Sequence, residues 1–235
     1  MSSLLRKIHK AVKRRLRVFK PLVPSFLVMY PWVDDDASKL KRRSYRSYEA
    51  YLAHQKGKLD RLPPEQLREY DVAYRSALRA RLSAGDVTWT GASVLCLGAR
   101  LGTEVKAFLD LGCFAVGIDL NPGPDNCYVV TGDFHHLQFP SASTDVVFTN
   151  SLDHALDINQ VASEVKRVLK PGGRFVLEIG RGLADGGQPL YYEAVAWQSV
   201  DDVLAIFARH GFTTVSRSSF TYPWAGEHVR LVAPA

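Results

Sequence analysis

The chain reads Val94-Leu-Cys-Leu-Gly98-Ala-Arg100-Leu-Gly102-Thr-Glu104 where a predicted buried strand turns into a helix. Glycines let the backbone of such a turn approach a ligand, and the free N–H groups at the helix start favour a carboxylate or phosphate. Gly117-Ile-Asp119 follows at the end of the next predicted strand, where an acid can accept hydrogen bonds from ribose hydroxyls. This arrangement predicts a site for a cofactor that carries a nucleoside.

The glycine spacing does not fit a dinucleotide cofactor. Counted from Gly98, the dinucleotide fingerprint requires glycine at two further positions, where this chain has Arg100 and Thr103. Because two of its three glycines are missing, the turn favours a different nucleoside-bearing cofactor.

Four further segments follow in a fixed order: Phe114-Ala-Val-Gly-Ile-Asp119, Val129-Val-Thr-Gly-Asp133-Phe134, Thr144-Asp145-Val-Val-Phe-Thr-Asn150-Ser151-Leu-Asp153-His154, and Glu164-Val-Lys-Arg-Val-Leu-Lys170-Pro171-Gly172-Gly173-Arg-Phe-Val-Leu-Glu178. With them, roughly residues 90–235 resemble the class I S-adenosylmethionine (SAM)-dependent methyltransferase family. That family places an acid two residues before Gly98 and further glycines at every second position. Gly98 and Gly102 match this spacing, whereas Cys96 and Arg100 depart from it.

Alternating strand and helix patterns from residue 93 onward predict an α/β domain with a parallel sheet. We expect strands at 93–97, 114–118, 127–131, 145–149, 174–179, 212–219 and 228–233, and helices near 102–111, 157–169 and 199–210. The resemblance implies a doubly wound, mostly parallel, seven-stranded Rossmann-like sheet that ends in an antiparallel pair. The domain is expected over 86–235, after a helical extension at 1–85 with helices that begin at Asp34-Asp-Asp36 and at Pro63-Pro64.

The resemblance also assigns residues to the cofactor. It implies that Gly98 and Gly102 approach the methionine part of SAM, that Asp119 binds both ribose hydroxyls, and that Asp133 receives the adenine amine. Two interpretations of Arg100 stay open, a pair with the SAM carboxylate or a surface pair with Glu104 four residues later. The other residues assigned to SAM are Leu120, Phe134, Asn150 and Ser151.

Asp153 and His154 follow the strand whose carboxyl end would face the transferable methyl group. His154 is the expected proton acceptor and Asp153 the second choice, because imidazole titrates near neutral pH. Alternatively, His154 begins the next helix and binds backbone groups. No cluster of His, Cys or carboxylate residues in the sequence has metal-ligand spacing, so we expect no metal.

Two aromatic segments are candidates for acceptor binding. One predicted helical face begins with aromatic residues at steps of three and consists of Tyr45, Tyr48, Tyr51, Leu52, Gln55 and Lys58. This face either packs on the domain or forms a lid that comprises residues 45–60. A glycine-rich loop at 180–187 precedes a second group, which either lines an acceptor pocket or packs on the next helix. The candidate substrate-binding residues are Tyr48, Tyr51, His54, Gln55, Arg181, Tyr191 and Tyr192.

The composition is consistent with an intracellular enzyme. Cys96, Cys113 and Cys127 lie in or beside apolar strands and are expected to be buried, reduced thiols. No apolar stretch reaches the roughly 18 residues needed to span a bilayer. We therefore expect a cytoplasmic SAM-dependent methyltransferase that acts on a hydroxyl of a small molecule, a glycan or a lipid-linked precursor. The alternatives are N- or C-methylation of a metabolite or quinone, and a SAM-binding scaffold protein without catalysis.

Positive charge is concentrated at the start of the chain. Residues 1–20 contain eight Lys and Arg residues and no acid, whereas the whole chain has a net charge of +6. The apolar face of the predicted helix consists of Leu5, Ile8, Val12, Leu16 and Phe19. This basic arm is expected to dock on an anionic membrane surface, or to pack on its own domain or on a second copy in a homodimer. Nucleic acid is the least favoured partner.

If the basic arm binds membranes, removal of residues 1–20 should abolish co-sedimentation with anionic vesicles and leave SAM binding unchanged. Salt should weaken the interaction of the full chain, because screening shortens its reach to about 8 Å at physiological ionic strength. Absence of vesicle binding by the full chain at low salt would favour packing or dimer formation.

Overall fold

The computed structural model describes residues 30–35, 38–58, 64–85 and 87–235. The basic arm at 1–20 lies outside these residues, so its predicted helix and partner stay predictions. Within the described part, no helix is both long enough and apolar enough to cross a membrane.

Ten strands and five α-helices are formed by the described residues. The strands are β1 (Trp32–Asp35), β2 (Leu40–Arg43), β3 (Ser93–Leu97), β4 (Phe114–Asp119), β5 (Val129–Thr131), β6 (Thr144–Thr149), β7 (Leu169–Gly180), β8 (Val195–Trp197), β9 (Thr213–Phe220) and β10 (Gly226–Val232). The helices are α1 (Tyr48–Lys56), α2 (Pro64–Leu82), α3 (Thr103–Leu109), α4 (Ile158–Val168) and α5 (Val200–Arg209).

Seven of these strands form one sheet in the order β5-β4-β3-β6-β7-β10-β9. The first five are parallel, and β10 runs antiparallel to both β7 and β9. This arrangement confirms the predicted doubly wound, mostly parallel sheet with an antiparallel pair at its end. Strand order places the carboxyl ends of β3, β4 and β6 side by side, which is where open α/β sheets bind ligands.

The central strand β3 is buried on both faces. Leu95 and Leu97 pack in the core that includes α4 and α5, whereas Val94 and Cys96 pack in the core that includes α2 and α3. Successive side chains of a strand point to opposite faces, so an uninterrupted apolar run is needed where helices cover both sides. The helices α2, α3, α4 and α5 lie within a few residues of their predicted bounds.

A second, three-stranded sheet was not predicted. It has the order β1-β2-β8, and both pairings are antiparallel. The helix start predicted at Asp34-Asp-Asp36 is wrong, because Asp34 and Asp35 belong to β1. Each of these acids pairs with a cation of β2, at 3.2 Å from Lys41 and 3.0 Å from Arg42, and opposite charges across neighbouring strands stabilise the pairing.

Two smaller expectations are also corrected. Tyr45 precedes α1, because Ser47 caps the helix by accepting a hydrogen bond from the Ala50 amide. Cys127 is exposed, whereas Cys96 and Cys113 are buried free thiols as predicted. Cys127 lies in the loop before β5 and not inside a strand, so no sheet covers it.

A buried ion pair holds α2 against the sheet. Arg81 on α2 donates two hydrogen bonds to the carboxylate of Glu178 on β7, at 2.6 and 3.0 Å, and the Glu178 side chain is fully buried. Tyr74 and His228 also contact this carboxylate, at 2.7 and 3.0 Å. Burial alone would raise the pKa of Glu178, but these hydrogen bonds and the Arg81 charge hold it below its usual value. Glu178 is therefore ionised and fully partnered at neutral pH.

Removal of Arg81 should destabilise the fold strongly. Arg81→Ala leaves the buried Glu178 carboxylate without its cation, which typically costs about 3–5 kcal/mol of unfolding free energy. Arg75 on the same helix forms a more exposed pair with Asp110, so Arg75→Ala should cost less than about 1 kcal/mol. Urea unfolding of both variants measures the difference, and equal losses would show that the Arg81 pair is not a main support of α2.

Candidate functional site

The glycine turn after β3 brings two loops into direct contact. Gly98 has a φ of +65°, and a Cβ placed on it would lie 2.7 Å from the Cβ of Ser151. Ser151 lies in the loop after the neighbouring strand β6, and its hydroxyl donates to the Gly98 carbonyl at 3.3 Å. Glycine is therefore required at position 98, because any side chain would separate the two loops.

Gly102 is required for a different reason. It is the N-cap of α3 with a φ of +83°, and an added Cβ would lie 2.6 Å from the Cβ of Tyr128. Two cavities lie at the carboxyl edge of the sheet, and Gly102 lines neither of them. The predicted contact of Gly102 with the methionine part of SAM stays untested, whereas its role in starting the helix is visible.

Asp119, at the end of β4, lines the smaller of two cavities at the sheet's carboxyl edge. Its carboxylate accepts hydrogen bonds from the backbone amides of Arg100, at 3.0 Å, and Asn121, at 2.8 Å. Burial raises the pKa of Asp119, although these bonds and the nearby cations oppose that effect. Leu120 and the buried Phe134 add apolar surface to the same cavity.

The larger cavity has a volume of about 550 Å³ and lies over the ends of β3, β6 and β7. Of the predicted residues, Asn150, Asp153, Arg181 and Tyr192 line this cavity. The two cavities meet, because they share the lining residues Lys58, Gly98, Arg100, Ser151 and His154.

His154 lies where the cavities meet, held between a backbone carbonyl and a lysine. Its Nδ1 lies 2.9 Å from the Tyr192 carbonyl oxygen and its Nε2 lies 2.5 Å from Lys58 Nζ. A carbonyl can only accept, so Nδ1 carries the hydrogen and Nε2 offers its lone pair to Lys58. Burial lowers the pKa of His154 to about 4, so the ring is neutral at neutral pH.

Lys58 is a functional candidate that the sequence did not indicate. Burial, reinforced by the charge of Arg100, lowers the pKa of Lys58 to about 8. It lies 96 positions before His154 in the chain, and no spacing pattern connects two such distant residues. A lysine whose ammonium group titrates near neutral pH is able to accept a proton under physiological conditions.

Two carboxyl groups face the larger cavity near His154. Asp153 Oδ1 is buried and has no hydrogen-bond partner within the described part of the chain. Burial and the Asp153 charge raise the pKa of Glu193, which follows the glycine-rich loop, to about 7. The Asp153 oxygen is placed to accept a hydrogen bond from a ligand, because a buried polar atom without a partner is unfavourable until it gains one.

Asp133 lines neither cavity. Its carboxylate accepts a hydrogen bond from the Tyr48 hydroxyl at 2.5 Å and contacts the amide and ring of His135, each at 2.9 Å. Burial would raise the pKa of Asp133, but these hydrogen bonds outweigh burial and lower it to about 2. The predicted bond to the adenine amine stays untested, and it would need one of these contacts to be shared.

The predicted lid residues separate into two groups. Tyr51 and Gln55 of α1 line the smaller cavity, beside Asp119 and not over the larger cavity. Tyr48 binds Asp133, while His54 is buried and packs against Tyr191 and Tyr192. Tyr48, His54 and Tyr191 line neither cavity, so the structure does not bring them into contact with an acceptor there.

Among the described residues there is no cluster of His, Cys, Asp and Glu that could hold a metal ion. The site consists of Asp119, the glycine turn after β3, the two cavities and the Lys58–His154 pair. These groups can bind a nucleoside, position a second ligand and accept a proton.

Comparisons with known proteins agree with this geometry. Residues 95–177 match a family model described as a methyltransferase domain. A sterol 24-C-methyltransferase of Eremothecium gossypii is 32% identical over 119 residues, covering 43% of this chain and 30% of that protein. An uncharacterised 37.1 kDa protein encoded in a Streptomyces fradiae transposon is 31% identical over 162 residues, covering 62% of this chain and 44% of that protein. The chain spans less than half the length of these curated relatives.

A solved structure shows the same fold. The N1-methyltransferase of Burkholderia thailandensis that binds 1,6-didemethyltoxoflavin and S-adenosylhomocysteine superposes with a TM-score of 0.63 at 16% identity. The match covers 88% of this chain and 100% of that one. At this identity the comparison establishes the fold alone.

Those residues fit SAM. Each Asp119 oxygen accepts one backbone N–H and keeps a further lone pair for a ribose hydroxyl. Leu120 and Phe134 supply apolar surface for a base. The Arg100 guanidinium has no hydrogen-bond or ion-pair partner within the described part of the chain, and it is therefore available to a ligand carboxylate.

Cofactor binding should depend on Asp119. Asp119→Ala removes a buried charged acceptor worth roughly 1.5–3 kcal/mol per hydrogen bond, so S-adenosylhomocysteine should bind at least about tenfold more weakly by calorimetry. Asp185→Ala, which removes an exposed acid in the loop after β7, is the control and should bind normally. Unchanged affinity in a folded Asp119→Ala variant would remove Asp119 from the site.

Proposed function

Because the chain carries a class I, SAM-dependent methyltransferase domain, we propose that it methylates a hydroxyl group of a small molecule, glycan or lipid-linked precursor bound in the larger cavity. The observation that supports this proposal is the Lys58–His154 pair, which lines both cavities. A group at this junction is adjacent both to the cofactor side and to the acceptor side of the site.

Hydroxyl acceptors need a base, whereas many nitrogen and carbon acceptors are already nucleophilic. SAM supplies an electrophilic methyl group, and the protein must align the acceptor with it and remove the hydroxyl proton. Neutral Lys58 is the stronger base of the pair, because its pKa is about 8 and that of His154 is about 4. His154 then positions Lys58 through its Nε2 lone pair.

The larger cavity suits an acceptor with hydrogen-bond donors and an apolar part. The unpartnered Asp153 oxygen and Glu193 offer acceptors on one side. Ile179 and Trp197 contribute apolar surface to the same lining. The volume of about 550 Å³ lies in the range of roughly 300–1,000 Å³ that is common for small-molecule sites.

C-methylation of an apolar acceptor is the second candidate. It is favoured by the curated relatives, of which one is a sterol 4-C-methyltransferase from Caenorhabditis elegans, 26% identical over 98 residues. That similarity covers 35% of this chain, so it bears on the cofactor domain more than on acceptor choice. N-methylation and a SAM-binding protein without catalysis are the remaining outcomes of the test.

Transfer of an isotopically labelled methyl group from SAM into a metabolite extract, followed by NMR of the product, identifies the acceptor atom. Lys58→Arg keeps the positive charge but cannot lose its proton at ordinary pH, so turnover should fall roughly 10²–10⁴-fold. His154→Ala should lower turnover similarly. Since the base must be deprotonated, the wild-type rate should rise with pH through about 8, and this rise should vanish in Lys58→Arg.

Lys56→Arg is the matched control, because Lys56 is exposed and lies two residues before Lys58. It should keep both the wild-type rate and the pH profile. If Lys58→Arg kept full turnover, the base would be excluded and an N- or C-methylated product would be expected. If no labelled product formed with wild-type protein that binds SAM, the scaffold alternative would be favoured.

A further inference from the structure

Glu104 is a buried acid that neither the predicted site nor the proposed proton transfer uses. It lies in the first turn of α3, lines the larger cavity and is 6% exposed. Its Oε1 accepts a hydrogen bond from the Asn150 side-chain amide at 2.8 Å. Its Oε2 has no hydrogen-bond partner within the described part of the chain. A buried carboxylate oxygen of this kind costs free energy unless a ligand donates to it.

The position of Glu104 matters because the preceding strand lacks an acid. Cys96 stands where the related methyltransferases have a carboxylate, and it is fully buried in the core beside Val94 and Phe108. Burial keeps the pKa of the Cys96 thiol well above its usual value, so it stays neutral. Cys96 therefore supplies no negative charge near the glycine turn.

The Arg100 guanidinium, which has no partner in the described part of the chain, lines the same cavity as Glu104. Arg100 and Glu104 both line the larger cavity, and no hydrogen bond or ion pair joins them in the described structure. The surface pair considered from their spacing is therefore not formed. An unpartnered carboxylate oxygen and an unpartnered guanidinium in the lining of one cavity are complementary to the ammonium and carboxylate groups of an α-amino acid.

We propose that Glu104 receives the α-ammonium group of the methionine part of SAM, while Arg100 faces its carboxylate. Burial raises the pKa of Glu104 to about 7, and a bound ammonium group favours its ionised form. Glu104 then supplies, from the helix that follows the turn, the charge that Cys96 does not provide. Asn150 positions the Glu104 carboxylate through the hydrogen bond to Oε1. This inference rests on SAM as the cofactor, but it is independent of the acceptor and of the Lys58–His154 base.

Calorimetric titrations with three ligands isolate the proposed contact between Glu104 and the α-ammonium group. S-adenosylhomocysteine carries both charged groups, its desamino analogue lacks the ammonium group, and methylthioadenosine lacks the whole amino-acid part. Glu104→Gln should weaken S-adenosylhomocysteine at least tenfold and change methylthioadenosine less than twofold. The desamino analogue should bind wild type and Glu104→Gln equally. Glu69→Gln, the same change at an exposed site on α2, should alter none of the three affinities.

Arg100→Leu provides the complementary comparison. It should weaken S-adenosylhomocysteine and the desamino analogue alike, because both keep the carboxylate, and it should spare methylthioadenosine. Losses that are equal for all three ligands in Glu104→Gln would overturn the proposal and leave Glu104 a support of the loop through Asn150. Unchanged binding of S-adenosylhomocysteine would overturn it as well.

Wild-type protein alone also tests the proposal if Glu104→Gln does not fold, which its circular dichroism spectrum would reveal. The desamino analogue should then bind wild type at least tenfold more weakly than S-adenosylhomocysteine, and equal affinities would overturn the assignment. These titrations contain no acceptor, so failure of the proposed hydroxyl methylation would leave them unaffected. If wild type bound none of the three ligands, the cofactor itself would be wrong.

Discussion

The site depends on one steric constraint, the contact between Gly98 and Ser151. With no side chain at position 98, the loop after β6 can lie directly against the turn after β3. His154 in the one loop and Arg100 in the other line the same cavities, and the Arg100 amide binds Asp119 at the end of β4. Three neighbouring strand ends are thereby fixed to one another, and the cofactor side and the acceptor side become a single connected site.

The sequence predicted those parts that rest on local patterns. The apolar runs of the parallel strands and the glycine turn are each contained within a short stretch of sequence. The sheet, and the position of Asp119 at the end of β4, were therefore predicted correctly. The small sheet was missed because Asp34 and Asp35 resemble a helix start, and only their pairing with Lys41 and Arg42 reveals a strand. Lys58 was missed for a related reason, since its partner His154 is distant in the chain and contact between them requires the folded structure.

Burial determines the charge state of nearly every group in the site. It holds His154 neutral and brings Lys58 to the pKa range in which an amine can exchange a proton. It also leaves oxygens of Glu104 and Asp153 without partners, each at a cost of about 1–3 kcal/mol. Glu178 shows the contrast, because the acid that supports the fold is saturated by Arg81, Tyr74 and His228. In this respect Glu178 differs from Glu104 and Asp153, each of which keeps one oxygen without a hydrogen-bond partner in the described part of the chain.

Helix α1 and the residue after it make hydrogen bonds with residues at both the smaller and the larger cavity. The start of the helix is bound to Asp133 through Tyr48, and its end is bound through the Lys56 carbonyl to Asn121, which lines the smaller cavity. Gln55 and the Gly57 carbonyl bind Tyr192 on the acceptor side. Each bond is worth only about 0.5–1.5 kcal/mol, but the helix cannot leave one cavity without losing contacts at the other. Lys58 directly follows this segment, so the position of the proposed base is set by the same contacts that enclose the cofactor cavity.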